Sequence, residues 1–400
     1  MTSTSPVPAG ASPQRRDLPG PSPVDSGAVE QGRVRFPPWR GEADRPAGDP
    51  VAPLAPDKRV GFAVVGLGRL SLEQILPAFG ASRLARPVAL VSGSPEKLKV
   101  VAQQYGIAAG DCHGYDGFER LRDNPAVQAI YLVLPNALHR EFTERAAAIG
   151  LHVLCEKPLA TSAADARAMV DACSRAGVRL MVAYRIQYQP HHVRARGWVR
   201  DQTFGRLVGI QSVNVQTVHA NAAQQWRHKQ ALAGGGALPD IGLYCLNTAR
   251  FVSGEEPREV YAQIHTPQGD DRFAEVEQTV SFMLRFPSGL IANCFTSYGA
   301  REDKAQRLNF AEAAVDMPDA FAYEGQRLFI GRLRNGAAVR DEVVLPHANQ
   351  FSCEIDHFAD CVRNGKPPRT PGEEGLRDQV LIERIYASAA EGRRLPAADL

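Results

Sequence analysis

The chain has 400 residues, of which 44% are hydrophobic and 22% charged, as is usual for a soluble globular protein. Its 46 basic and 44 acidic side chains give a formal net charge of +2, so there is no electrostatic case for a nucleic-acid or membrane partner. No apolar run approaches the roughly 20 residues of a membrane span. The seven cysteines are widely spaced and form no CxxC pair, which predicts reduced thiols and no metal site.

The first 57 residues are rich in Pro, Gly, Ser and Ala and poor in aliphatic side chains. Such a segment buries too little apolar surface to offset its ordering entropy, so we predict a disordered or arm-like leader over residues 1–57. The stretch RVRFPPWRG at 33–41 is its candidate docking segment on a neighbouring subunit. Arg15 and Arg16 form a twin arginine, but no apolar segment follows, so we expect a cytoplasmic protein. A true start carrying an export signal would instead direct it to the periplasm.

From Arg59 onward, short continuous apolar runs alternate with amphipathic segments. This alternation is typical of a parallel sheet covered by helices on both faces, and it predicts a Rossmann-type domain over residues 58–184. The predicted strands are 60–66, 87–93, 127–135, 151–158 and 179–184, and the predicted helices are 72–79, 95–106, 138–149 and 162–176.

After about residue 205 the pattern changes to long segments in which apolar and polar residues alternate, at 207–218, 257–266, 276–286 and 289–298. Alternation with a period of two predicts an open, mostly antiparallel sheet, here in an α+β domain over residues 185–375. One helix is predicted near 238–252, and two more at 351–364 and 373–391. We expect the C-terminal helix, within 376–400, to pack back on the first domain. The fold class is therefore α/β, a doubly wound sheet plus an α+β domain.

A glycine-rich turn, GLGRLS at 66–71, lies directly between the first predicted strand and its helix. Gly66 permits the tight turn, and Gly68 lets the backbone approach a pyrophosphate at the helix N-terminus. Ser71 stands where a third Gly or Ala is usual. The position of the motif in a βαβ series predicts dinucleotide binding.

The end of the second strand indicates which dinucleotide is bound. A carboxylate there would hold the ribose hydroxyls of NAD, but this chain has SGSPEK, with Ser92, Ser94 and Lys97. Hydroxyl groups and an ammonium suit a phosphate, and Arg69 of the glycine loop is placed to join them, so NADP is favoured. The alternative is that Lys97 is only a solvated helix lysine.

Two further strands end in polar residues. Pro135 and Asn136 follow the third strand and should line the cofactor side, because ligands bind beyond the carboxyl ends of parallel strands. CEKP at 155–158 ends the next strand, so Lys157 should enter the same crevice, oriented by Glu156, with the local backbone fixed by Pro158 through a cis bond. A cationic nicotinamide ring would lower the pKa of Lys157. The alternative is a surface ion pair.

A second polar interruption is GGGALPDIGLYCLN at 234–247. Asp240 and Tyr244 are four residues apart and share one helix face. A tyrosine beside a lysine is a workable proton donor and acceptor for alcohol–carbonyl exchange. The alternative is a helix-capping aspartate with a packed tyrosine.

Taken together, GLGRLS, CEKP and DIGLY (240–244) resemble the Gfo/Idh/MocA oxidoreductase family, and within it the glucose–fructose oxidoreductase branch. The resemblance covers roughly residues 59–400, and departs from the branch most at 299–350. It implies a β-rich substrate domain that also serves association, hence a homo-oligomer (dimer or tetramer). It also implies tightly bound NADP, reduced by one sugar and reoxidised by another. The further matching motifs are QILPAF (74–79), VSGSPEK (91–97), PNALH (135–139), YRIQYQPHH (184–192), QQWRHKQALAGGGAL (224–238), GEEP (254–257), NQF (349–351) and PGEEG (371–375).

The resemblance also implies roles for individual residues. Lys157, Tyr244 and Asp240 form the predicted catalytic set. The predicted substrate-binding residues are Arg227, Trp226, Asp240, Tyr244 and Tyr188. The predicted cofactor-binding set is Gly66, Leu67, Gly68, Arg69, Leu70, Ser92, Gly93, Ser94, Lys97, Leu134, Pro135, Asn136, His139, Glu156, Lys157 and Arg185.

Three functions therefore remain open. The first is an NADP-dependent sugar oxidoreductase that oxidises an aldose to its lactone and reduces a ketose or aldose with retained NADP. An ordinary NADP-dependent sugar, polyol or diol dehydrogenase with exchangeable cofactor is the second. The third is a non-catalytic dinucleotide sensor, which would be free to lose Lys157 or Tyr244; both are present.

Overall fold

The computed structural model describes residues 28–31, 33–35 and 53–397. Within the predicted leader it contains a short hairpin, in which Ala28–Glu30 pairs antiparallel with Arg33–Arg35. Residues 36–41 of the proposed docking segment lie outside the described part. The hairpin belongs to one unit of the chain, and the described residues 53–397 belong to the other.

A six-stranded parallel sheet forms the first half of the larger unit, with strand order β3-β2-β1-β4-β5-β6. It contains the five predicted strands plus the two-residue β3, which was not predicted. All six residues of β1 are buried, which is why these strands read as unbroken apolar runs. The strands are β1 Val60–Val65, β2 Ala85–Val91, β3 Cys112–His113, β4 Val127–Leu132, β5 His152–Glu156 and β6 Leu180–Ala183, and the helices are α1 Leu76–Ala81, α2 Pro95–Tyr105, α3 His139–Ala148 and α4 Ala163–Ala176.

The second half is a ten-stranded sheet that is antiparallel except where β7 pairs with β10. Its strand order is β15-β14-β13-β12-β7-β10-β9-β8-β16, with β11 paired to β7 off this path. Both sheets confirm the predicted fold class, although β11 to β16 were not predicted. The strands are β7 Leu207–Thr217, β8 Glu259–His265, β9 Thr279–Arg285, β10 Ile291–Ser297, β11 Gly299–Asp303, β12 Gln306–Phe310, β13 Ala313–Met317, β14 Phe329–Arg334, β15 Ala337–Glu342 and β16 Leu395–Pro396.

Helices join the two halves. α7 lies against β7 and β10 and continues a π-helical turn at Leu238–Gly242. α8 packs on α1 beside the first sheet, whereas α9 packs on both α4 and β8. The buried Arg250 of α7 pairs with Asp378 of α9 at 2.5 Å, which fixes these two helices to each other. The helices are α5 Pro190–Arg200, α6 Gln230–Ala233, α7 Leu243–Ser253, α8 Gln350–Asn364 and α9 Gly372–Glu391.

None of the helices in the described ranges is both long and apolar enough to cross a membrane. The same residues contain no group of three or more His, Cys, Asp or Glu side chains arranged to hold a metal ion. All seven cysteines are free thiols.

Candidate active site

A cavity of about 780 Å³ opens where the carboxyl ends of β1, β2, β4 and β5 meet the second half of the chain. Ligands of open parallel sheets bind in this position, because the helix N-termini and connecting loops converge there. The cavity is lined by every residue of the predicted cofactor, catalytic and substrate sets except His139 and Tyr188.

The glycine loop forms one wall. Gly66 has φ +98°, and a Cβ atom there would overlap the carbonyl oxygen of Val133, so only glycine fits this turn. A Cβ on Gly68 would meet only open space, which leaves the backbone free for close approach by a ligand. Ser71 is fully buried and donates a hydrogen bond of 2.5 Å to the Gly66 carbonyl. The serine that departs from the usual fingerprint therefore ties the turn together.

The loop after β2 carries hydroxyl and ammonium groups rather than a carboxylate. Ser94 caps α2 by accepting a hydrogen bond from the Lys97 backbone N–H, and Ser92 accepts one from the Ser94 N–H. The Lys97 ammonium donates to the Leu67 carbonyl at 3.3 Å, so it reaches the glycine loop. Arg69 extends from that loop into solvent, with Glu73 at 3.6 Å. These groups, together with Gly66 and Gly68 of the glycine loop, suit a dinucleotide whose phosphates contact this wall.

Two polar residues follow β4: Asn136 lies in the cavity wall, and His139 lies in the core. Asn136 lines the cavity, and its side chain donates to the Ala233 carbonyl at 2.8 Å. His139, predicted to bind cofactor, lies fully buried behind the wall, with its ring nitrogens 3.0 Å from the Pro158 and Leu134 carbonyl oxygens. That placement does not support the predicted contact, because the ring is enclosed by the backbone it braces. Burial lowers the pKa of His139.

Lys157 enters the cavity from the end of β5, next to a cis peptide bond with Pro158 as predicted. Its ammonium donates to the Asp240 carbonyl oxygen at 2.6 Å and lies 3.3 Å from the Asp240 carboxylate. Burial alone would lower the pKa of Lys157, but Tyr244, Asp240 and Glu156 outweigh it and raise the pKa. This direction is opposite to the one expected beside a cationic ring. In this structure the lysine is an ammonium held by its neighbours.

Asp240 lies in the π-helical turn that precedes α7 and is surrounded by donors. Its second carboxylate oxygen accepts a hydrogen bond of 2.7 Å from Tyr298, and the Arg227 guanidinium lies 3.6 Å away. Burial would raise the pKa of Asp240, but the charges of Lys157 and Arg227 and these hydrogen bonds lower it to about 2. Asp240 is therefore an anion throughout the neutral range.

Two cations lie against the ring of Tyr244. Lys157 lies over its ring at 4.7 Å and Arg185 at 4.6 Å, both from charge centre to ring centroid. The Arg185 Nε–H donates to the Tyr244 hydroxyl at 3.2 Å, which leaves the phenolic proton free for another acceptor. Arg185 also donates to Gln350 at 2.7 Å and to the Phe321 carbonyl at 2.7 Å. The residue predicted to bind cofactor thus holds Tyr244.

Tyr188, predicted to bind substrate, is not in the cavity. It is buried, and its hydroxyl lies 3.2 Å from Thr370 Oγ1. The 3₁₀ turn Arg185–Tyr188 directs Arg185 toward the cavity and Tyr188 toward the core. The cavity is also lined by residues that were not predicted to belong to the site. Some of them lie in the stretch 299–350, where the resemblance to the family is weakest. The unpredicted lining residues are Glu73, Gln74, Tyr115, Val133, Asn214, Gln216, Ile241, Lys304, Phe321, Tyr323 and Phe351.

A doubly wound parallel sheet with this glycine loop, and with a lysine and a tyrosine on the same cavity, defines an NAD(P)-dependent oxidoreductase. The chain belongs to the Gfo/Idh/MocA family. The model of the oxidoreductase family with an NAD-binding Rossmann fold matches residues 60–184. The Gfo/Idh/MocA C-terminal domain matches 192–311, and the C-terminal alpha/beta domain of the oxidoreductase family matches 324–397.

Characterised relatives share most of their length with this chain. A D-xylose 1-dehydrogenase (NADP+) of Haloarcula marismortui is 31% identical over 84% of this chain and 92% of its own. The crystal structure of an aldose–aldose oxidoreductase from Caulobacter crescentus, complexed with glycerol, is 41% identical with a TM-score of 0.81, over 84% of this chain and 99% of that one. A levoglucosan dehydrogenase solved with NADH and levoglucosan has a TM-score of 0.76 at 20% identity, over 85% and 100%, which shows the fold alone.

Proposed function

We propose that the protein is an NADP-dependent sugar oxidoreductase that oxidises an aldose to its lactone and passes the hydride to a second sugar while the nucleotide stays bound. The observation that carries this proposal is the cluster of Lys157, Asp240 and Tyr244 on the same cavity as the glycine loop. The aldose–aldose oxidoreductase, by its name, acts on two aldoses, which supports a two-sugar cycle.

In this proposal Lys157 binds the reacting hydroxyl of the sugar and Tyr244 transfers its proton. The Lys157 ammonium donates a hydrogen bond to the reacting hydroxyl and fixes it. The Tyr244 oxygen accepts a hydrogen bond from Arg185; as a phenolate it takes the hydroxyl proton during oxidation, and the resulting phenol returns that proton during reduction. A nicotinamide bound in the cavity would accept or give the hydride. Asp240, Arg227 and Trp226 orient the remaining hydroxyls.

The choice of NADP rests on the groups around the end of β2. Ser92, Ser94, Lys97 and Arg69 line this end of the cavity, and all are hydroxyl or cationic. Arg and Lys side chains bind a phosphate through charge-assisted hydrogen bonds, which a ribose hydroxyl of NAD would not need. The name of the Haloarcula relative, which specifies NADP, supports the same choice.

The test is the absorbance of the protein purified without added nucleotide. We expect a bound nicotinamide, a rise at the reduced-cofactor band on adding glucose, and a fall on then adding fructose or another sugar. A protein that comes out empty and turns over only with added NADP would instead support an ordinary dehydrogenase, the function named for the Haloarcula relative. Bound nucleotide that no sugar in a broad panel reduces would favour a sensor and contradict both enzymes.

A further inference from the structure

A buried cluster of two carboxyl groups and one phenol lies beside the catalytic lysine. The Tyr131 hydroxyl oxygen on β4 lies 2.9 Å from Glu156 Oε1 at the end of β5 and 3.1 Å from Glu354 Oε1 on α8. Tyr131 and Glu354 are fully buried, and Glu156 is 8% exposed. Glu156 also lines the cavity, whereas Glu354 and Tyr131 lie behind it.

The protons in this cluster can be counted. A phenol has one proton to donate, yet its oxygen lies within hydrogen-bond distance of two carboxyl oxygens. If both carboxyls were ionised, one of these contacts would bring two acceptors together without a proton between them. Two buried carboxylates this close strongly favour holding one proton between them. One carboxyl must therefore be an acid that donates to the Tyr131 oxygen.

The surroundings indicate which carboxyl keeps the proton. Glu156 directly precedes the Lys157 ammonium, which favours its ionised form. Arg185 acts on both carboxyls only from a distance, since its hydrogen bonds go to Tyr244, Gln350 and backbone carbonyls. Among the described residues Glu354 contacts no cation, and its Oε2 has no hydrogen-bond partner. An ionised Glu354 would be an uncompensated buried charge.

The groups that face Glu354 from its other sides do not change this assignment. Tyr188 of the neighbouring 3₁₀ turn and Cys353 of α8 are both acids, and their own pKa values are raised mainly by burial, so both are neutral. Burial and the charge of Glu156 raise the pKa of Glu354 well above its usual range. Burial also raises the pKa of Glu156, but Lys157 and the Tyr131 hydrogen bond oppose this.

We propose that Glu354 is a carboxylic acid that donates to Tyr131, which in turn donates to the Glu156 carboxylate, so that α8 fixes a cavity-lining anion beside Lys157. Glu354 and Tyr131 are positioning residues, since neither touches the cavity. The fixed Glu156 charge is one of the groups that raise the pKa of Lys157. The kinetic consequence rests on the proposed function, whereas the protonation state does not.

The protonation state is tested by infrared spectroscopy of the enzyme as isolated, at neutral pH, comparing wild type with Glu354→Gln. We expect the wild type to show the carbonyl stretch of a protonated carboxylic acid that this variant lacks. Two identical spectra in that region would overturn the proposal, whatever the enzyme turns over.

Thermal unfolding gives a second readout with a definite sign. Because the pKa of Glu354 is raised in the folded state, its favourable contribution is complete below the ordinary carboxyl pKa and is lost as the pH rises toward the folded value. The melting temperature of wild type should therefore fall relative to that of Glu354→Gln as the pH is raised above the ordinary carboxyl pKa. A difference that stays constant or reverses with pH contradicts a neutral Glu354.

Kinetics then test the relay. Glu354→Leu and Tyr131→Phe should each lower kcat on the order of 10-fold and shift the basic limb of the pH profile to lower pH, because a Glu156 carboxylate that is no longer fixed contributes less to the raised pKa of Lys157. Glu354→Gln, whose amide can still donate to Tyr131, should restore most of the loss. Thr143→Val is the matched control, since it removes a buried hydroxyl that lies outside both the cavity and the cluster and should leave the shape of the profile unchanged. Equal losses in Glu354→Gln and Glu354→Leu would refute the relay.

Discussion

Asp240→Asn tests the electrostatics of the candidate site most directly. The carboxylate is held by Lys157, Arg227 and Tyr298, and its pKa falls from 3.8 to about 2. At about 1.4 kcal/mol per pKa unit, this shift corresponds to about 2 kcal/mol in favour of the ionised form in the folded protein. Asparagine keeps an acceptor for Tyr298 but no charge, so we expect the free energy of unfolding at neutral pH to fall by about 2 kcal/mol.

The pH dependence has a fixed sign. A carboxyl whose pKa is depressed by folding contributes its stability above the ordinary value of 3.8 and loses it as the pH falls through the folded value near 2. Urea unfolding of wild type and Asp240→Asn should therefore differ fully at pH 7 and clearly less at pH 3. The control is Asp360→Asn, which removes an exposed pair with Lys366 and should change the free energy by about 0–1 kcal/mol. An equal or smaller loss in Asp240→Asn than in the control would refute the electrostatic account.

Three further predictions concern the reaction. Lys157→Met should retain nucleotide but lose most turnover, because its ammonium no longer fixes the hydroxyl; nearly normal turnover would contradict that role. Tyr244→Phe should cut kcat by about 100-fold or more at unchanged melting temperature, since it removes the proton acceptor that Arg185 holds; a normal rate would remove it from the mechanism. Lys97→Ala should weaken NADP binding about 10-fold while sparing NAD, measured by fluorescence titration; equal losses for both would show that Lys97 only braces Leu67.

The sequence predicts the first half of the fold well because its strands and turns can be recognised from residues that are adjacent in the chain. Strands buried on both faces read as continuous apolar runs, and the turns between them carry glycine, proline and polar residues at fixed places. The later strands β7 to β10 were also predicted, since a sheet with one buried face alternates in hydrophobicity. β11, β14 and β15 escaped prediction because their hydrophobic pattern is weak: the residues of β11 alternate little, and Arg332, Arg334 and Arg340 interrupt the pattern of the other two.

The residues of the candidate site likewise fall into those that the local sequence pattern predicts and those that depend on distant parts of the chain. Residues on strand ends, such as Lys157, were predicted because the parallel sheet brings all its carboxyl ends to one edge. Tyr298 and Tyr323 were missed because their neighbours are distant in sequence: Tyr298 reaches Asp240, and Tyr323 stacks on Arg185. Tyr188 was misplaced for a related reason. Its motif was identified, but a 3₁₀ turn decides which of its side chains enters the cavity, and spacing alone did not show that turn.

The three consecutive glycines at 234–236 show how packing, rather than chemistry, dictates part of a site motif. Gly235 has φ +156°, and a Cβ atom on it would overlap the hydroxyl of Tyr386 from α9. The buried Glu277 accepts hydrogen bonds from the backbone N–H groups of Gly236 at 2.7 Å and Leu238 at 2.9 Å. These contacts hold the start of the π-helical turn against β9 and α9. This turn contains Asp240 and places it beside Lys157. The glycines therefore allow β9 and α9 to determine where the Asp240 carboxylate lies.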